Sequence, residues 1–305
     1  MRLVRILGAL LIAGGSLAAW VSYAGAFVPT LDAVASFMPL FGLMILTGLA
    51  LGRRLGLWAV AAALLGLAPV ALRVVPELTR DVPRARSGMQ QVRVLSHNVW
   101  VKNSDPAETA QTILDARPDV VMLQELDGNF RPMLAALRQK LPYGTDCPKG
   151  CGMAILSRWP IDDSGYLLRD EAGRKFGPPL TWARIIGPDQ RPFTVMTLHY
   201  PHPTMRDQAV RIRDMAQALA RIDREGLIVA GDMNLTPWAA AMHAQDQGFA
   251  PLTRMTRALP SWPRALPMLP IDQLYAGPDW GLVSAERLPA TGSDHRPVLV
   301  TLGRR

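Results

Sequence analysis

Three stretches without a single charged residue fill the first quarter of the chain: Ile6 to Thr30, Ala33 to Gly52 and Leu55 to Leu72. Each is near the length of roughly 17–25 residues at which an apolar helix crosses a bilayer core. Such an opening predicts three transmembrane helices over residues 1–75, not a water-soluble globule. A cleavable signal starting at Arg2 and Arg5 fits poorly, because the first run is long and two more follow. Arg2 and Arg5 place the N-terminus in the cytoplasm, the turn at Asp32 outside and Arg53-Arg54 inside. An odd number of spans then leaves everything beyond residue 75 outside the cytoplasm. Arg73, Arg80, Arg84 and Arg86, just past the third run, go against that orientation. The expected location is the cytoplasmic (inner) membrane, multi-pass, with the lipid bilayer as the first partner.

Charge narrows the other partners. Of the net +8 over 305 residues, the first 75 carry five Arg against Asp32 alone, leaving 28 basic and 24 acidic residues beyond. Only four Lys follow residue 75. A nucleic-acid partner, which calls for a dense basic footprint, is thus disfavoured, and no obligate protein partner is implied. Cys147 and Cys151 bracket a Cys-Pro-Lys-Gly-Cys turn that a disulfide could close in an oxidising compartment. Two free thiols are the alternative, and a zinc pair lacks a second Cys pair or clustered His.

Residues 76–91 carry no apolar period and read as a linker; residues 92–305 read as one compact domain. The sequence predicts a strand at Val92 to Ser96. Asp105-Pro106 with Glu108 predicts a capped helix running to Arg117. A buried strand at Val120 to Leu123, a helix from Arg131 to Lys140 and a strand at Met153 to Ser157 follow. Leu180 to Ile186 and Phe193 to Leu198 flank Gly-Pro-Asp-Gln and predict an antiparallel hairpin. Thr204 reads as the cap of an amphipathic helix bearing Ile212, Ala216, Leu219 and Ile222, before a strand at Leu227 to Ala230. Another helix is expected from Thr236-Pro237. Five prolines in residues 251–270 predict an irregular loop before strands near Ile271 to Ala276 and Pro297 to Leu302. Mixed strands with intervening helices predict packed sheets with helices outside.

The informative polar residues fall at strand ends: Asn98, Glu125, His199, Asp232, Asn234, Asp272, Asp294 and His295. Singly, each reads as a turn former or cap. Together they offer carboxylate and amide oxygens suited to Mg²⁺ or Mn²⁺, with imidazoles for proton work. Phosphoryl transfer has that need: a cation, a base for water, and donors for transition-state charge. No Gly-x-Ser-x-Gly elbow supports a serine hydrolase.

The ordered motifs Ser-His-Asn98, Leu-Gln-Glu125, Thr-Leu-His199-Tyr-Pro, Gly-Asp232-Met-Asn234, Ile-Asp272-Gln-Leu and Gly-Ser-Asp294-His295-Arg-Pro resemble the endonuclease/exonuclease/phosphatase superfamily, the deoxyribonuclease-I-like group. The resemblance covers roughly residues 92 to 303. It implies a four-layered α/β sandwich, two packed mixed sheets flanked by helices, here preceded by the three transmembrane helices. It further implies Glu125 as main metal ligand with Asn98 and Asp294 beside it, Asp232 as the base for water and Asn234 as a donor to phosphoryl oxygens. His295 would contact phosphate with its tautomer fixed by Asp272, and His199 would serve as leaving-group acid. His202 reads as a surface residue ahead of a phosphate contact, His97 as core or supporting, and Arg158 as structural ahead of catalytic. Trp262, Leu266, Met268 and Leu269 form either an apolar lip or packing over the sheet.

The function expected is divalent-metal-dependent phosphoester hydrolysis outside the cytoplasm, on a lipid-linked phosphate or diphosphate. An extracytoplasmic nuclease is the alternative, and a catalytically silent lipid- or partner-binding domain the third reading.

Overall fold

The computed structural model describes every residue except Met1, residues 53–55, residues 146–149 and Arg206. Arg53-Arg54, on which the expected orientation leans, thus lies outside the described residues. So does Cys147, and with it the expected disulfide to Cys151.

The chain divides into two compact units. The first holds residues 1–80 together with residues 202–209 and 235–244. Its helices are α1 (Arg2–Val21), the short α2 (Asp32–Ala35), α3 (Met38–Leu51) and α4 (Leu57–Thr79). Two segments, Arg2–Ala26 and Leu57–Thr79, are each long and apolar enough to cross a membrane. The middle run is not one straight helix, because Pro29–Ala35 and Met38–Leu51 meet at 51°. Counted as one bent span, it brings the number of candidate spans to three. Glycine lets α1 and α3 approach closely: a Cβ on Gly8 would lie 2.8 Å from Gly48 O, and one on Gly48 2.7 Å from Gly8 O. Small residues serve this purpose between apolar helices, which gain nothing further by leaving water. α4 continues to Thr79, past the point where Pro76 suggests a linker. Near its end the Thr79 hydroxyl donates to Val75 O at 2.9 Å, and Arg80 pairs with Glu77 at 3.2 Å.

Polar residues tie the rest of this unit. Both carboxylate oxygens of Asp32 accept backbone N–H groups, from Ala240 and Ala241, at 2.8 Å each. Trp238 donates its indole N–H to Ser36 O at 3.1 Å. Arg73 is buried, donates to Trp238 O at 2.7 Å and stacks over the Tyr23 ring at 4.4 Å.

The second unit contains twelve strands among the described residues: β1 (Gln91–Asn98), β2 (Val120–Gln124), β3 (Tyr143–Gly144), β4 (Met153–Ser157), β5 (Ile161–Arg169), β6 (Lys175–Ile186), β7 (Pro192–His199), β8 (Leu227–Asp232), β9 (Thr253–Arg254), β10 (Asp272–Ala276), β11 (Trp280–Arg287) and β12 (Val298–Arg304). They form two six-stranded sheets, ordered β11-β12-β1-β2-β4-β3 and β5-β6-β7-β8-β10-β9. β1 runs parallel to β2, and β7 parallel to β8, whereas the other pairings are antiparallel, so both sheets are mixed.

Alternation along the strands assigns the faces. Val92, Val94, Val120, Met122 and Ile155 of the first sheet join Ala183, Ile185, Val195, Ile228 and Leu274 of the second in one core. Leu95, Val121, Leu123 and Leu156 turn the other way, onto Ala110 and Ile113 of α5 (Pro106–Asp115) and Met133 and Leu137 of α6 (Arg131–Arg138). The α5 cap is as expected: Asp105 accepts from Glu108 N at 2.8 Å. Helices α7 (Asp207–Leu219) and α8 (Ala240–Phe249) begin among residues of the first unit and end among residues of the second. The resulting architecture is the α/β fold of two mixed sheets flanked by helices that the motifs imply.

Three local expectations need correcting. Thr204 lies in a turn, and α7 begins only at Asp207. The helix expected at Thr236-Pro237 starts at Ala240, where Asp32 supplies the acceptor that a local cap would have given. The proline-rich segment is not wholly irregular, since β9 and a Trp262–Leu269 bridge lie within it.

Close approach at the end of β8 explains one glycine: a Cβ on Gly231, at φ +153°, would overlap Leu198 O of β7. Gly231→Ala should therefore destabilise the protein by more than about 1 kcal/mol. This should be read as a lower midpoint of thermal unfolding in detergent; an unchanged midpoint would refute the close-packing argument.

Candidate functional site

Strand register brings the polar strand ends together. His199 is the register partner of Asp232 across the parallel β7–β8 pair, and Asp272 faces the same Asp232 across the antiparallel β8–β10 pair. In the other sheet Asn98 pairs with Gln124, so that Glu125 follows immediately where β2 ends. Glu125 and Asn234 adopt positive φ, +58° and +49°. That left-handed conformation is uncommon for Glu and points to a backbone held for what its side chain does.

The two groups meet at Asn98. Its Nδ2 donates to Glu125 Oε1 at 2.9 Å and to Asp232 Oδ2 at 3.0 Å, while its Oδ1 accepts Trp100 N–H at 2.9 Å. Asn98 is thus a neutral bridge between two carboxylates. Glu125 Oε2 also accepts from Val101 N. Asn234 donates to Tyr200 O at 2.9 Å, and its Nδ2 lies 3.5 Å from His199 Nε2. His199 Nε2 is itself 3.5 Å from Asp232 and 3.7 Å from Glu125.

Opposite stands an almost completely buried charged cluster. His295 Nδ1 meets Asp272 Oδ2 at 2.9 Å, which leaves Nε2 facing Asp232 Oδ2 at 3.6 Å. Burial lowers the imidazole pKa, but Asp272 and Asp232 raise it more, to about 10. Burial likewise pushes the Asp232 carboxyl above its ordinary value against the pull of His295. Asp272 ends below its ordinary value, because the charge and hydrogen bond of His295 outweigh its desolvation. The arrangement therefore holds His295 as a cation fixed at one nitrogen and presenting the other.

Of the expected metal ligands, Asn98 and Glu125 are adjacent, whereas Asp294 is held separately by the Trp262 indole N–H at 3.1 Å. Among the described residues, the group of ligand atoms that converges within 4.8 Å is a different one: Asp232, Asp272 and His295. The residues nevertheless suit a hard divalent cation. Asp272 Oδ1 and Asp294 Oδ1 are buried with no hydrogen-bond partner among the described residues, and carboxylate oxygens are what such a cation binds.

The remaining candidates separate cleanly. His97 is fully buried beside Thr291 Oγ1 at 3.1 Å, and burial lowers its pKa to about 3, so it is a neutral supporting residue. Arg158 pairs with Asp119 at 3.0 Å, a structural contact. His202 is exposed. Leu266 and Met268 are exposed, while Trp262 is engaged by Asp294. Sequence reasoning passes over Ser293; its hydroxyl donates to Asn98 O at 2.7 Å and accepts from His295 N at 3.0 Å, joining both halves of the site. Its place within Gly-Ser-Asp294-His295 is the signal that could have found it.

Asn98→Asp should remove the donor shared by Glu125 and Asp232 and set three carboxylates together. Losing hydrogen bonds to charged acceptors costs on the order of 2 kcal/mol. The melting temperature in chelator should fall, and added Mg²⁺ should restore more of it than it adds to the unmodified protein. Equal Mg²⁺ effects on both proteins would contradict the bridging role.

The family model described as Endonuclease/Exonuclease/phosphatase family matches residues 95–295. No curated protein sequence matches the chain. Among solved structures, an endonuclease/exonuclease/phosphatase from Bacteroides vulgatus superposes with a TM-score of 0.58 at 20% identity, over 71% of this chain and 100% of that one. Beta toxin of Staphylococcus aureus with bound magnesium ions gives 0.51 at 14% identity, over 71% and 100%. Sphingomyelinase C from Streptomyces griseocarneus gives 0.52 at 16% identity, again over 71% and 100%. With two mixed sheets and a family match across all eight polar strand ends, the chain belongs to the endonuclease/exonuclease/phosphatase family.

Proposed function

We propose that this protein is a membrane-anchored, divalent-metal-dependent phosphohydrolase acting outside the cytoplasm on a lipid-linked phosphate or diphosphate. The observation that carries the chemistry is the convergence of Asp232, Asp272 and His295, with Asn98 bridging Asp232 to Glu125. Glu125, with Asn98 beside it, and Asp294 are the residues that would hold the cation. When bound, that cation neutralises phosphate charge and makes phosphorus a better electrophile.

The chain's own groups supply the rest. Asp232 orients the attacking water and takes its proton, a role suited to a carboxylate whose proton affinity burial has raised. His295 presents Nε2–H⁺ to a phosphoryl oxygen, with Asp272 fixing the ring through Nδ1. Asn234 donates to another phosphoryl oxygen, and His199 stands where it can protonate the departing oxygen.

Two segments able to cross a membrane support the lipid-linked substrate, because tethering raises the local concentration of a membrane-bound reactant and does nothing comparable for a freely diffusing one. The likeness to a sphingomyelinase supports the same class of substrate. The magnesium ions bound in beta toxin support the choice of cation.

Purified full-length protein with Mg²⁺ should hydrolyse polyprenyl phosphates or diphosphates in preference to duplex DNA, and should stop in excess chelator. Preferential cleavage of DNA would overturn the substrate assignment, and full turnover in chelator the metal assignment. Asp232→Asn and His295→Ala should each lower turnover by about 10² or more. The double variant should lose less than the product of the two, since both act in one step.

For topology, a fusion after Arg305 should activate alkaline phosphatase and leave a cytoplasm-dependent fluorophore dark. The reverse pattern would place the domain inside.

A further inference from the structure

Beside His199 lies a cavity of about 230 Å³, lined by Pro178, Pro179, His199, Tyr200, Pro201 and Arg211. It is smaller than the roughly 300–1,000 Å³ of sites that enclose a whole drug-sized ligand. It therefore has room for one group of a substrate, not for a lipid chain. Three prolines form much of its wall; they offer no backbone N–H and hold a fixed shape. Besides Tyr200, whose hydroxyl is buried, what remains to recognise a ligand is the His199 imidazole and the Arg211 guanidinium. Arg211 is half-buried on α7 and has no ion pair or hydrogen bond among the described residues. Other arginines of this unit are engaged: Arg158 with Asp119, Arg254 with Asp246, and Arg304 with Asp189 and Asp279. A half-buried guanidinium facing a small cavity, with no partner among the described residues, is suited to an anion, and its planar fork fits phosphate oxygens.

We propose that this cavity is a subsite for a second phosphate directly bonded to the one being cleaved, so that Arg211 selects a diphosphate over a monophosphate. The proposal rests on the phosphohydrolase reading above and refines its substrate. His199 connects the two places, since its Nε2 lies 3.5 Å from Asp232 while the ring lines the cavity. With the terminal phosphate at Asp232 and His295, the inner phosphate of a diphosphate monoester enters the cavity. Water adds to the terminal phosphorus and gives its proton to Asp232 as the new P–O bond forms. The bond from that phosphorus to the bridging oxygen breaks, and its electron pair leaves with the inner phosphate. Arg211 offsets the charge that gathers on the departing inner phosphate. The products are inorganic phosphate and the lipid monophosphate, with water as the only other reactant. Arg211 is thus a specificity residue that stabilises a leaving group.

The test uses full-length protein in detergent with Mg²⁺, with farnesyl diphosphate and farnesyl monophosphate as probes and duplex DNA as the third arm. The unmodified protein should favour the diphosphate in kcat/KM. Arg211→Gln should lower the diphosphate-to-monophosphate ratio by about 10²-fold, the size of effect seen when one partner of a desolvated charge pair is removed. Arg211→Lys, which keeps the charge and loses the fork, should fall between. Melting temperatures of both variants, read alongside, separate this outcome from misfolding. An equal loss on both prenyl substrates, no change in the ratio, or a monophosphate preference in the unmodified protein would overturn the subsite while leaving the phosphohydrolase reading intact. Cleavage of DNA with neither prenyl compound turned over would overturn both.

Discussion

A buried carboxylate is costly unless its charge is matched, and this domain sets two of them face to face, Asp232 and Asp272, each about 1% exposed. What makes them tolerable is His295, itself about 5% exposed and within 3.6 Å of both. Removing one member of such a group leaves uncompensated charge, which costs far more than the intact group contributes. The sheet is built around this demand. Only the antiparallel register of β8 and β10 sets Asp272 opposite Asp232, and a slip of one residue in either strand would turn its carboxylate to the other face. The apolar core between the sheets fixes that register, and the charged cluster inherits its accuracy.

The same logic explains why the site is legible in the sequence. Asn98, Glu125, His199, Asp232 and Asp272 each lie in or just after a short apolar run and His295 just before one, and a polar residue at such a boundary is conspicuous against Val, Ile and Leu. Order along the chain then does what no single residue can. Other features leave weaker traces. β5 carries mostly polar and partly exposed residues without clean alternation, and β11 mixes Gly, Ser, Glu and Arg after its buried Trp280. Both are held by pairing to β6 and β12, a tertiary effect invisible locally. The starts of α7 and α8 escape a local reading for a related reason. Proline and threonine punctuation gives the propensity to begin a helix, whereas the partner that satisfies the first amides of α8 is Asp32, more than 200 residues away.

Arg73 illustrates a charge whose meaning depends on where it is buried. As a residue flanking an apolar run, it counts against an exterior location for the catalytic domain. In the fold it is a buried donor to Trp238 O with its guanidinium over Tyr23. A positive charge spent on an internal hydrogen bond says little about the side of the membrane on which a helix ends, because the inside bias concerns residues in loops.

The N-terminal unit also bears on how this protein can be handled. Residues 235–244 belong to that unit, although they continue directly from Asn234. A chain shortened to residues 81–305, the natural choice for a detergent-free preparation, would lack Asp32, Ser36 and Arg73. The amides of Ala240 and Ala241, the Trp238 indole and the Trp238 carbonyl would all lose their partners at once. The segment released is the one that emerges from Asn234, so the apolar helices hold the chain that continues from the site, whatever else they do. Such a fragment leaves Trp238, Ala240 and Ala241 without these partners, so an inactive preparation of it would be misleading evidence about the substrate.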